Sequence, residues 1–244
     1  MIIFLTSSPT GPLDGSRPVD GLDKMNNFVV NLRKYWKPDS RCLMIAAAPD
    51  EPARNDEMCE FFAGVLRKEN LSFSTFDLWD RRTTDFSEET LKSYDVIWLG
   101  GGHVPTQNRF FHEIQLREKI ADFQGIVIGI SAGTMNSADE VYAQPELPGE
   151  AVDPDFVRYI RGLGLTKTKT IPHYQMGKDW YLDGMRLYED ITYGDSWGKT
   201  FLVLTDGSYL FIENGEETVY GEAYVINDGK ILQICSEDKT CRWK

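Results

Sequence analysis

Ile126-Val127-Ile128-Gly129-Ile130-Ser131-Ala132-Gly133-Thr134-Met135-Asn136 is an apolar, mostly β-branched run that passes through Gly-x-Ser-x-Gly into residues of helical character. Such a run reads as a buried strand, and a residue on the turn into the following helix is forced out of the sheet. The flanking glycines remove the Cβ atoms that so tight a turn cannot accommodate. Ser131 is therefore a candidate nucleophile, and the amide of Ala132, at the opening of a helix, faces the place where an oxyanion would develop. A Gly-Ser-Gly turn without chemistry is the bland alternative.

Outward from this stretch, short apolar runs alternate with segments of helical period as far as about Ala138. The pattern predicts strands over Met1–Leu5, Cys42–Ala47, Leu71–Phe76, Asp95–Leu99 and Gly125–Ile130. Helices are predicted over Met25–Tyr35, Glu51–Glu69, Ser87–Tyr94, Phe110–Phe123 and Ala132–Glu140. Five such βα units make an α/β fold with a doubly wound, mostly parallel sheet flanked by helices. Val141–Phe156, with three prolines and four acids, reads as a long loop. A strand near Leu165–Ile171 and a helix near Lys178–Tyr193 follow. Short strands come next at Phe201–Leu204, Ser208–Glu213, Thr218–Tyr220, Ala223–Ile226 and Lys230–Ile234. Turns at Glu213-Asn214-Gly215 and Asn227-Asp228-Gly229 make this tail a set of antiparallel hairpins that extend the sheet. No linker or repeat interrupts the pattern, so residues 1–244 read as one domain.

Composition narrows the function. The 244 residues are 41% hydrophobic and 12% aromatic, enough for a sizeable core. Thirty-eight Asp and Glu against 26 Lys and Arg leave a net charge of −12, a field that repels nucleic acid and anionic membrane surfaces. The N-terminal Met1–Thr6 lacks a positively charged leader and reads as a strand, and four cysteines without a CxxC pair suit a reducing compartment. A cytoplasmic location is expected. Gly194-Asp195-Ser196-Trp197-Gly198-Lys199-Thr200 is one residue too short between its glycines for a phosphate loop. No ligand spacing suits a metal, and neither metal nor cofactor is expected.

A second strand, Asp95–Leu99, ends in Gly100-Gly101-Gly102-His103. Open α/β sheets bind ligands at the carboxyl ends of their strands, so Gly101 and Gly102 are candidates for further oxyanion donors. Among the three histidines, His112 falls within a predicted amphipathic helix and reads as packing or surface. His103, directly after the glycines, is a candidate substrate contact. His173, in Ile171-Pro172-His173-Tyr174 just past a strand end, is the candidate base. Gln107 and Tyr174, close in sequence to these two histidines, join His103 as candidate substrate contacts. For the acid that would orient the base, spacing alone leaves Asp139, Glu140, Glu146, Glu150, Asp153, Asp155 and Asp206 open.

Taken together, the triglycine loop, Gly129–Gly133, Gly162-Leu163-Gly164-Leu165 leading to Pro172-His173-Tyr174, and Leu204-Thr205-Asp206-Gly207-Ser208 resemble the dipeptidase E and cyanophycinase family of serine peptidases. The resemblance runs in matching order from about Asp95 to Asn214. It implies a fold like that of the class I glutamine amidotransferases, with Ser131 as nucleophile, His173 as base and Asp206 as the third member. It also implies that amides of the glycine loop and Ala132 form the oxyanion site, acting on a short peptide or isopeptide bond. Aspartyl dipeptidases of this family carry Glu where this chain has Asp206. The side chain is one methylene shorter, so its backbone must lie closer to His173. Those relatives also hold a basic cluster after the histidine, where this chain has the mixed Lys178-Asp179-Trp180-Tyr181-Leu182-Asp183-Gly184-Met185-Arg186. No Lys or Arg occurs between Lys119 and Arg158, so an overhanging acidic loop would favour a cationic or neutral peptide. A homodimer, a non-peptide amide or ester substrate, and a binding or sensor domain without chemistry are compatible alternatives.

Overall fold

The computed structural model describes residues 1–17 and 19–243. Its main sheet contains strands β1 (Ile2–Thr6), β2 (Ser40–Ile45), β3 (Phe73–Trp79), β4 (Val96–Leu99) and β5 (Ile126–Ile130), the five expected from the apolar runs. They are parallel, with β1 beside β5, then β4, β2 and β3. Residues alternate between two cores. Ile97 and Leu99 join Leu5, Leu43 and Val127 on one face, while Val96 and Trp98 join Phe4, Met44 and Ile128 on the other. Burial on both faces is why these strands read as continuous apolar runs.

Helices cover both faces. α1 (Phe28–Tyr35) and α2 (Pro52–Lys68) pack Phe28, Leu32, Phe62 and Leu66 on the Trp98 side. α3 (Glu88–Lys92), α4 (Val104–Glu113) and α5 (Leu116–Ile120) pack Leu91, Phe110 and Ile120 on the other. The single helix expected over Phe110–Phe123 is thus two. Pro105 starts the first of them six residues early, and Gln115 at φ +53° breaks the chain before the second. α6 (Ala132–Asn136) is one short turn, and β6 (Glu140–Tyr142) replaces the end of the longer helix expected there.

The second half departs further from expectation. β6 pairs with β7 (Tyr159–Arg161), and the chain between them is the expected long loop. After β8 (Lys169–Ile171) and the short α7 (Tyr174–Gly177), the helix expected over Lys178–Tyr193 is instead a hairpin of β9 (Tyr181–Leu182) and β10 (Met185–Arg186). Asp183 (φ +52°) and Gly184 (φ +82°) form its left-handed turn, and that Asp-Gly turn overrides the helical spacing of the neighbouring apolar residues. Helical structure resumes only as a π-helix over Leu187–Thr192 and the short α8 (Tyr193–Asp195).

The remaining strands are β11 (Thr200–Leu204), β12 (Tyr209–Glu213), β13 (Glu216–Tyr220), β14 (Ala223–Asn227), β15 (Lys230–Cys235) and β16 (Thr240–Arg242). Both expected hairpins form, but the tail divides. β12 joins the main sheet antiparallel to β1, and β13 and β16 follow it, each antiparallel to its neighbour, whereas β15, β14, β11 and β8 make a separate four-stranded sheet. The segment joining β11 to β12 therefore crosses from one sheet to the other. Among the described residues no helix is long and apolar enough to cross a membrane.

Candidate active site

Ser131 lies between β5 and α6 with φ +49° and ψ −108°, a backbone strained for any residue with a side chain. Close packing enforces the turn. A Cβ on Gly133 would lie 2.2 Å from the Leu99 carbonyl oxygen, and one on Gly129 would lie 2.8 Å from Thr134 Oγ1. Thr6 at the end of β1 locks the corner: its carbonyl accepts hydrogen bonds from Ser131 N (3.2 Å) and Thr134 Oγ1 (2.7 Å), and its hydroxyl donates to Gly129 O (2.7 Å).

The glycine loop after β4 lies directly against this corner. A Cβ on Gly101 would stand 3.6 Å from Ser131 Cβ, and one on Gly102 would stand 2.8 Å from Ala47 Cβ. Because the Ser131 amide is committed to Thr6, donors for an oxyanion must come from elsewhere. The amides of Gly101, Gly102 and Ala132 have no acceptor among the described residues.

His173 follows β8 and Pro172, in a left-handed conformation at φ +58°. Its Nδ1 is 2.6 Å from Asp206 Oδ1, so the shorter carboxylate does reach the imidazole. Gly207, at φ +87° in the crossing between β11 and β12, brings the Asp206 backbone near enough. The Asp206 side chain is fully buried. Burial alone would raise its pKa, but hydrogen bonds from His173, Ser7 and the Leu13 amide, with the charge of the imidazole, hold it below the ordinary 3.8. An ionised Asp206 accepts the Nδ1 proton and leaves Nε2 as the free ring nitrogen.

Ser7, which the sequence reading did not single out, ties this pair to the main sheet. It is fully buried; its hydroxyl donates to Asp206 Oδ1 at 2.7 Å and accepts the His173 amide at 2.8 Å. Its position just past the end of β1, on the ligand-binding edge of a parallel sheet, was the available signal. Gln175 Oε1 completes the frame by accepting the Asp206 amide at 3.0 Å.

Ser131, Gly101, Gly102 and His173 line one cavity of about 890 Å³. Its walls are mainly apolar, with Met58 and Phe61 from α2, and Met176 and Trp180 from the segment after His173. Arg54, Glu57 and Glu146 bring charge to it. Among the described residues the Ser131 hydroxyl has no hydrogen-bond partner, so serine and imidazole share the cavity without a hydrogen bond between them.

The other candidates are placed elsewhere. Gln107 is fully buried, donating to Gly100 O (2.7 Å) and accepting from Asn136 Nδ2 (3.0 Å); it supports the glycine loop from behind and cannot meet substrate. His103 does not line the cavity, and both its ring nitrogens are engaged, with Thr106 Oγ1 and with Glu150 Oε1, each at 2.8 Å. Tyr174 packs against Tyr188 and Tyr224 instead of facing the cavity. Of the acids, Asp139 pairs with Arg117, Glu140 with Lys169 and Lys199, and Glu150 with His103. Glu146 alone of that group lines the cavity. Arg186 pairs with Asp190, and neither it nor Lys178 lines the cavity.

Comparison with known proteins agrees with this architecture. A peptidase from an acI-B1 Actinobacterium superposes with a TM-score of 0.63 at 16% identity, over 99% of this chain and 96% of that one. A "Putative Peptidase E Protein" from Listeria monocytogenes EGD-e superposes with a TM-score of 0.52 at 16% identity, over 100% and 98%. No curated protein matches the sequence. The family match is independent of these folds and spans residues 40–220, from β2 to the end of β13, so it includes Ser131, His173 and Asp206. The chain belongs to peptidase family S51, the dipeptidase E family.

Proposed function

We propose that the protein is a serine-type peptidase that hydrolyses a short peptide or isopeptide bond through an acyl-enzyme. The observation that carries the reading is the 2.6 Å contact between His173 and buried Asp206 on the wall of the cavity that Ser131 also lines. Ser131 Oγ attacks the scissile carbonyl while His173 Nε2 removes its proton, and the charge formed on the imidazole is stabilised by Asp206 through Nδ1. The carbonyl oxygen becomes an oxyanion held by the amides of Ala132 and of Gly101 or Gly102, each such donor being worth roughly 100- to 1000-fold in rate. The imidazolium then gives its proton to the departing amine. Water, deprotonated by the same nitrogen, attacks the ester; the acyl–oxygen bond breaks to release the carboxylic acid, and the imidazolium returns a proton to Ser131 Oγ. The serine–imidazole hydrogen bond forms as substrate closes the gap, a contact often loose until the reactants are in place. The thiols fit a cytoplasmic setting: Cys42 and Cys235 are buried, and no disulfide is formed among the described residues.

Intact-mass analysis after fluorophosphonate treatment tests the assignment. One adduct is expected on the wild type, and none on Ser131→Ala or His173→Ala. Ser131→Ala is expected to lose nearly all hydrolysis of dipeptides while remaining folded. A well-folded wild type that takes no adduct refutes an activated serine and leaves a binding domain on the same fold.

A further inference from the structure

The acidic strap over the cavity places one of its carboxylates, that of Glu146, on the cavity wall. The Glu146 side chain lines the cavity and accepts no hydrogen bond or ion pair among the described residues. Its backbone, by contrast, is fixed. The amides of Glu146 and Leu147 donate to Glu150 Oε2 at 2.9 and 3.0 Å, and Glu150 Oε1 is held by His103 at the start of α4. On the far side of the strap, the Gly149 and Ala151 amides donate to Asp183 in the β9–β10 turn, at 2.8 and 3.0 Å. The strap is thus pinned at one end to the loop that presents Gly101 and Gly102, and at the other to the hairpin that follows Trp180.

Glu146 is exposed by surface area, yet the protein atoms packed around it raise its carboxyl above the ordinary range. The charges of His103, His173 and Arg54 oppose that rise, and that of Glu150 adds to it. Arg54 is already held by Glu51 at 3.2 Å. A carboxylate without a partner is stabilised by an incoming cation, and most of the wall around it is apolar.

We infer that Glu146 is the specificity-determining residue of this cavity and selects substrates bearing an ammonium group, either the free N-terminus or a basic side chain of a short peptide. The inference rests on the cavity being the substrate site of the proposed peptidase. Glu57, also exposed and on the wall, stands on α2 outside the pinned strap and serves as the comparison.

Calorimetric titration of the Ser131→Ala protein, which binds without turning over, tests this with four ligands: Lys-Ala, norleucyl-Ala and their N-acetyl forms. Lys-Ala, and whichever of acetyl-Lys-Ala and norleucyl-Ala carries the ammonium that is read, are expected to bind about tenfold more tightly than acetyl-norleucyl-Ala. Comparing acetyl-Lys-Ala with norleucyl-Ala identifies whether the side-chain or the terminal ammonium is read. Adding Glu146→Gln is expected to erase the preference, and Glu57→Gln to preserve it. Equal binding of all four, no binding, or a preference that survives Glu146→Gln overturns the inference. Fluorophosphonate labelling separates its failure from that of the peptidase reading. A protein that labels at Ser131 but shows no Glu146-dependent preference loses only the specificity assignment. One that shows the preference without labelling loses only the catalytic one.

Discussion

Ser131 and His173 face one cavity from two sheets that hold them by different means. On the main sheet, shape fixes the serine: Gly129 and Gly133 allow β5, α6 and β4 to approach within distances no side chain permits, and the strained corner follows. On the second sheet, polar contacts fix the histidine: β8 ends at Ile171, and beyond it His173 depends on hydrogen bonds to Ser7 and Asp206. Steric confinement fails by damaging the fold, because overpacked atoms must move. A hydrogen-bonded frame can fail with the fold intact, because a missing donor leaves the backbone path unchanged while the side chain wanders. The two halves of the site should therefore break differently.

The largest effect is expected where the polar side is cut at its charge. Asp206→Asn keeps the volume but removes the anion that holds the Nδ1 proton, and a loss in kcat on the order of 10⁴-fold is expected. Circular dichroism should be unchanged at neutral pH. The same group makes a pH prediction. Its folded pKa lies below 3.8, so the ionised carboxylate stabilises the fold at every pH above that value. That contribution disappears as pH falls through the depressed folded value. Urea unfolding of wild type and Asp206→Asn should show a stability gap at pH 6 that narrows below pH 3.8. A gap that widens on acidification contradicts the assignment.

On the shape-determined side, Gly133→Ala would place a methyl group 2.2 Å from a backbone oxygen in the sheet. Overpacking of this kind costs about 1–3 kcal/mol, and a shift of the corner by ~1 Å costs turnover about 100-fold. Unlike Asp206→Asn, the variant should show a lowered unfolding midpoint together with the lost activity. An unchanged midpoint would mean that α6 moves freely against β4, and the contrast between the two sides would dissolve.

How much of this was legible in the sequence follows the same division. The parallel strands and the Ser131 corner could be read because burial on both faces makes continuous apolar runs and because close approach demands glycine at fixed positions. The second sheet could not be read as a sheet, since the β8–β11 pairing joins short segments about 30 residues apart and leaves no local mark. Trp180, Tyr181, Leu182 and Met185 mimicked a helical face, and only the Asp183-Gly184 turn within them pointed to a hairpin. Gln107 looked like a ligand contact because its polarity is visible in sequence and its burial is not. His173 was found from its place after a strand, but Asp206 came from family resemblance; spacing left seven acids open until the fold paired Asp139, Glu140 and Glu150 elsewhere and set Asp206 against His173. Ser7 went unnoticed because a single serine after a strand carries no pattern.

Ser7 also offers the finest test of the contrast, because it joins the two sides. Ser7→Ala removes one donor to Asp206 and leaves the His173 amide without its acceptor, while the carboxylate keeps its bonds to the imidazole and to the Leu13 amide. The loss should therefore be smaller than that of Asp206→Asn, roughly tenfold in kcat, since a hydrogen bond to a charged group contributes about 1.5–3 kcal/mol and part of the frame remains. If Ser7 acts by holding the imidazole in place, KM should stay nearly constant while kcat and the rate of fluorophosphonate labelling fall together. A rise in KM with unaltered labelling would instead mean that Ser7 shapes the cavity wall and that the histidine is held by its own sheet. The site would then rest on confinement from both sides.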